Sequence, residues 1–135
     1  MLKELTGKTK RGVKSRFELV EKIAKEIKIH SKIEEEIFYP AFKAAGGSDH
    51  HKMNYEALEE HRAVEKLVLP DLLETDPGTD EFYGRARVLE ELIEHHADEE
   101  EESMFPLAQQ SFSQEELEAL GEKMATRKEE LRTQL

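Results

Sequence analysis

Residues His30-Ser31-Lys32-Ile33-Glu34-Glu35-Glu36-Ile37-Phe38-Tyr39-Pro40 recur as His96-Ala97-Asp98-Glu99-Glu100-Glu101-Glu102-Ser103-Met104-Phe105-Pro106. The offset is constant, since 96 − 30, 100 − 34 and 106 − 40 all equal 66. In each copy a histidine precedes a glutamate by four positions, which stacks the two side chains one turn apart on a helix. The flanking residues give the period. Phe17, Val20, Ile23, Ala24, Ile27, His30, Glu34, Ile37 and Ala41 fall on one helical stripe, and Leu89, Leu92, Ile93, His96, Glu100, Ser103 and Leu107 fall on another. Both copies therefore place an imidazole and a carboxylate on an apolar, inward side.

The pattern extends outward from there. A first long helix is expected from about Val13, kinked by Pro40 and stopped by Ala44-Ala45-Gly46-Gly47-Ser48. A second runs from about His51 to Glu74 with Tyr55, Leu58, His61, Val64 or Glu65, Val68 and Leu72 on its stripe. Thr75-Asp76-Pro77-Gly78 is a turn, and a third helix spans about Asp80 to Gln110. Ser113-Gln114-Glu115-Glu116 has the capping-box form and opens a last helix to about Arg132. Its thin stripe of Leu117, Leu120 and Met124 suits the outside of a bundle. Strand-like alternation is lacking, and the connections are short. The fold class is all-α, an antiparallel helical bundle, read as a single domain over 1–135 with its core at 10–110 and an accessory helix at 113–133.

Composition narrows the chemistry. The net charge of −11 speaks against nucleic acid or an anionic membrane as partner. The chain has no cysteine, hence no disulfide and no thiolate metal site. No apolar run approaches the ~18 residues of a membrane span, and a cytoplasmic location is expected. An ionised carboxylate on an apolar stripe is costly unless something pairs with it, and two facing each other are worse. No lysine or arginine shares the stripes nearby. A metal cation would supply the missing charge, and imidazole with carboxylate favours iron, manganese or zinc over copper(I). His61 is a third candidate on the middle helix, with Glu65 four residues on, although that position equally suits a solvated flank. His95 lies ~100° from His96 around the helix and suits an outer or surface role. His50 and His51 fall at a helix start and are expected to be exposed.

His30 to Pro40, Glu60-His61, and Glu94-His95-His96 to Pro106 resemble the hemerythrin-like HHE cation-binding family. That resemblance implies a helical bundle around a non-haem di-iron centre without haem. It assigns the metal ligands to His30, Glu34, His61, His96 and Glu100, the glutamates bridging and the histidines capping. Members usually begin with a helix bearing a further histidine, and no histidine precedes His30 here. Carried back by the repeat, that residue falls upstream of Met1, and Leu2 and Leu5 read as the last turn of a largely missing first helix. The open groove this leaves predicts a homodimer that covers it, or a last helix folded across it. The expected function is a metal-binding module for dioxygen or a related small ligand, or for iron storage or sensing. The alternatives are a di-iron enzyme acting on peroxide, oxygen or nitric oxide, and a metal-free bundle acting through protein contacts.

Overall fold

The computed structural model describes residues 13–135, with side chains from Ser15 onward. The helical turn expected at Leu2 and Leu5 lies outside the described residues. Four helical rods make up the rest. The first comprises α1 (Val13–Ile33), a π-helical turn (Glu34–Phe38) and α2 (Tyr39–Ala44). The second comprises α3 (Ser48–Ala63), a π turn (Val64–Val68) and α4 (Leu69–Leu73). The third comprises α5 (Asp80–Glu99), a π turn (Glu100–Met104) and α6 (Phe105–Ser111), and the fourth is α7 (Gln114–Gln134). Among the described residues there is no strand, and no helix is long and apolar enough to cross a membrane.

Local signals account for the boundaries. Thr79 caps α5 by accepting the Phe82 N–H. Ser113 and Glu116 form the capping box reciprocally, each side chain accepting the other residue's N–H. The α2–α3 connection has its own requirement at Gly46, where an added Cβ would lie 2.1 Å from His50 Nδ1. That close approach belongs to a buried His50, which corrects the expectation of an exposed one. His50 stacks on Phe42 with ring centroids 4.8 Å apart, and its Nε2 lies 2.7 Å from Ser111 Oγ. Ser111 donates its own proton to the Leu107 carbonyl, so His50 Nε2–H is the donor in that pair. His51 is exposed, as expected.

Each of the first three rods carries a π turn, and each turn runs into a proline at the second position of the following helix. The closing bonds span five residues: Tyr39 N–H to the Glu34 carbonyl, Leu69 N–H to Val64, and Phe105 N–H to Glu100. A π turn holds one residue more than an α turn, so the inward register slips by one beyond it. The structure buries Phe38 and Phe42 rather than Ile37 and Ala41, Leu69 rather than Val68, and Met104 and Ala108 rather than Ser103 and Leu107.

Two apolar clusters result, separated along the bundle. One contains Val20, Ile23, Leu69, Leu72, Phe82 and Leu89, and the other Phe38, Tyr39, Phe42, Ala57, Met104 and Ala108. α1 packs on α4 and α7, and α5 packs on α3 and α4. α7 packs on α1, where Leu131 closes over Ile29 and Ile33. Arg127 of α7 adds a two-pronged contact to Glu36, with bonds of 2.7 and 3.3 Å. α7 borders part of the gap between α1 and the third rod, where Met124, Ala125 and Lys128 line a cavity with His30, Glu34 and Glu100. A cavity of about 370 Å³ remains beside α1 and α5, walled by Ile23, Ile27, Val64, Ile93 and Ala97.

Candidate metal centre

Between the two apolar clusters lies a polar layer. Glu34 ends α1's run into its π turn, His61 comes from α3, and His96 and Glu100 come from the end of α5 and the start of its π turn. One ligand atom from each of these four residues lies within 4.8 Å of the others. His61 Nε2 is 3.1 Å from His96 Nε2 and 3.4 Å from Glu34 Oε1, while His96 Nε2 is 3.9 Å from Glu34 Oε1. His96 Nε2 also pairs closely with Glu100 Oε1, one turn along the same helix. The Tyr39 hydroxyl completes the ring at 3.1 Å from His61 Nε2 and 3.2 Å from His96 Nε2.

Among the described residues no lysine or arginine pairs with Glu34 or Glu100. Protons compensate instead. Burial opposes ionisation of Glu34, yet hydrogen bonds from His61 and His96 hold its carboxyl well below the usual range. Burial pushes Glu100 up to about 7, against the hydrogen bond from His96 and with the Glu34 carboxylate alongside. Burial also works against a charged His96, but hydrogen bonds to Glu100, Glu34 and Glu60 carry it up to about 10. The Tyr39 hydroxyl is raised by burial and by both carboxylates, which keeps it protonated. The imidazolium of His96 thus supplies the positive charge at the focus of the layer.

A cation fits this donor set. Two imidazole nitrogens and two carboxylates of opposite rods converge on one point, and among the described residues a displaceable proton is what balances their charge. His61 Nδ1 is buried with no hydrogen-bond partner, the nearest carboxylate being Glu35 Oε2 at 3.6 Å. Of the expected ligands, Glu34, His61, His96 and Glu100 are brought together. His30 is exposed and outside the close cluster, which corrects its expected inward position. It lines the cavity beside α1 and α5 together with Glu34, His61, His96 and Glu100, and a neighbouring cavity with Met124 and Lys128 of α7. Glu65 belongs to no cluster, because Val64 takes the inward position. His95 is exposed and pairs with Glu99 at 3.1 Å, and with Glu60 it forms a smaller outer group.

Two residues of the site escaped the reading of spacing. Tyr39 stands five positions after Glu34, off the face in a regular α-helix, and only the π turn brings the two together. Glu60 enters the sequence pattern only as the neighbour of His61; its Oε1 accepts from His96 Nδ1 at 3.2 Å. The Tyr-Pro and Leu-Pro steps at Tyr39-Pro40 and Leu69-Pro70 were the available signal for the altered register.

An all-helical bundle with a buried cluster of histidines and glutamates suited to a metal defines a cation-binding protein. The chain belongs to the hemerythrin HHE cation binding domain family, whose pattern matches residues 1–108. It is similar to uncharacterised proteins of Mycobacterium tuberculosis and Mycobacterium bovis, 36% identical over 118 residues, spanning 87% of this chain and 70% of each relative. No solved structure gives a significant match.

Proposed function

We propose that the chain is a cation-binding module with a carboxylate-bridged, non-haem di-iron centre that binds dioxygen or a related small ligand. The observation that carries this reading is the convergence of Glu34, His61, His96 and Glu100 on one buried point. Glu34 and Glu100 come from opposite rods and are the bridging candidates. His61 and His96 are the inner imidazole donors, and His30 is the donor at the cavity rim. Iron held by such groups would supply a binding position for a small ligand. The chain's own part is to hold the donors, to place the Tyr39 hydroxyl beside them and to line the approach with apolar side chains.

The same donor set admits manganese or zinc, and storage or sensing of iron uses the same centre. A homodimer that covers the cavity beside α1 and α5 belongs to this proposal, and light scattering that reports a monomer removes it. The test of the centre is metal analysis of the full chain. About two iron equivalents are expected, with little or no metal retained by His61→Ala or Glu100→Ala. Full metal content in both variants overturns the assignment. Reversible colour change with oxygen without turnover supports ligand binding, whereas steady peroxide consumption would make the protein an enzyme.

A further inference from the structure

An imidazole donates a lone pair to a metal from one nitrogen only, and what the other nitrogen meets decides which. The two inner histidines differ in this respect. His61 turns Nε2 to the cluster and leaves Nδ1 buried and without a hydrogen-bond partner. His96 turns Nε2 to the cluster while its Nδ1–H donates to Glu60 Oε1 at 3.2 Å. Glu60 precedes His61 on α3, and adjacent helical positions point ~100° apart. His61 therefore enters the bundle while Glu60 faces α5, against which α3 packs. Glu60 is mostly buried, and its second oxygen lies 3.7 Å from His95 Nε2.

We propose that Glu60 is the positioning residue of His96: by accepting the Nδ1–H it directs the Nε2 lone pair into the cluster and raises metal affinity without being a metal donor. The inference rests on the reading of His96 as a donor. It implies that the two imidazoles differ in kind: Nδ1 of His96 is held by a carboxylate, and Nδ1 of His61 has no hydrogen-bond partner. A glutamine at position 60 still offers an acceptor oxygen but no charge, so it separates orientation from electrostatics.

The experiment is zinc titration of the full chain against a competing chromophoric chelator, for wild type, Glu60→Gln and Glu60→Ala. Glu60→Ala is expected to weaken zinc binding about 10- to 100-fold with unchanged stoichiometry, the range for a carboxylate behind a metal-bound histidine. Glu60→Gln should stay within about threefold of wild type, and His95→Ala likewise. The second readout is the His96 Nδ1–H signal in nitrogen-15 NMR spectra, recorded with and without zinc. It should be protected in wild type and in Glu60→Gln, and lost in Glu60→Ala. Loss of a metal equivalent in Glu60→Ala would make Glu60 a ligand and overturn the proposal. So would wild-type affinity in Glu60→Ala, or equal damage from Gln and Ala. If wild type takes up no zinc, the metal reading fails, while the signal without zinc still decides whether Glu60 holds His96.

Discussion

The two copies of the repeat carry a histidine, three glutamates and a proline at the same spacing and end in different surroundings. His96 is 13% exposed at its side chain and stands within hydrogen-bond distance of Tyr39, His61, Glu60 and Glu100. His30, its counterpart, is exposed on a cavity wall. Across from His96, α3 presents Glu60 and His61; beside His30 lies open volume bounded by Ile23, Ile27 and Ile93. Spacing decides the side on which a residue stands, and the neighbouring helix decides whether that side is interior. The carboxylates converge even so, because His61 takes the place opposite Glu34 that His30 does not fill.

The largest expected effect comes from removing one imidazole at a time. His96→Ala should weaken metal binding beyond the about 100-fold that an outer group costs, because a donor itself is lost. His30→Ala should cost roughly tenfold, as the removal of a rim donor leaves the inner four in place. Competition titration with zinc or ferrous iron measures both. Equal losses would show that metal loading draws His30 fully into the centre and would restore the symmetry of the repeat.

Smaller, but opposite in direction, is the effect of neutralising the paired carboxylates. Without metal, Glu34 and Glu100 face each other in a buried layer, and Glu34→Gln/Glu100→Gln relieves that repulsion. The double variant should be more stable by about 1–3 kcal/mol in urea unfolding with chelator present, and should bind no metal. A variant less stable than wild type would mean that the His96 imidazolium more than offsets the burial of both acids. The pH dependence has a definite sign. Folded Glu100 and His96 hold protons that the unfolded chain releases at lower pH, so their contribution falls as pH rises from about 4.5 through 7 and from about 6.5 through 10. Glu34 acts oppositely, its contribution being lost as pH falls below the ordinary carboxylate range. A metal displaces the protons of His96 and Glu100, so affinity should climb between about pH 6 and 8, by up to tenfold per unit for each proton released. Calorimetry in buffers of different ionisation enthalpy counts those protons.

The same contrast marks how much of the molecule the sequence disclosed. Helix number, turns and the Ser113 cap were legible because they rest on local chemistry and on a 3.6-residue period. So were Glu34, His61, His96 and Glu100, whose apolar flanks named their side. What escaped was the register beyond each π turn. Counting on at 3.6 residues selects Ile37, Ala41, Ser103 and Leu107, whereas one inserted residue per turn brings Phe38, Phe42, Met104 and Ala108 inward. Tyr39 enters the site for that reason alone. His30 and His50 depart from the pattern for a different cause, since burial there depends on what another part of the fold places opposite.

The smallest effects concern the prolines that follow the π turns, and they separate the two copies once more. A proline lacks the N–H that would continue an α-helical ladder and crowds the carbonyl four residues back, so a widened turn before it relieves the clash. Relaxation to an α turn would gain one backbone hydrogen bond, about 1 kcal/mol. In the first copy it would also swing Tyr39 and Phe42, 1% and 0% exposed, out of the core, at several times that cost. Packing therefore holds that π turn without the proline, and Pro40→Ala should leave metal affinity within about twofold. The second copy is held by Met104 and Ala108, which offer less to lose, while Phe105 is 41% exposed. Pro106→Ala should accordingly shift affinity several-fold through Glu100, which opens that turn, and nitrogen-15 spectra should show the change confined to residues 100–108. Equal responses at the two prolines would mean that proline, not the packed aromatics, sets the register in both copies.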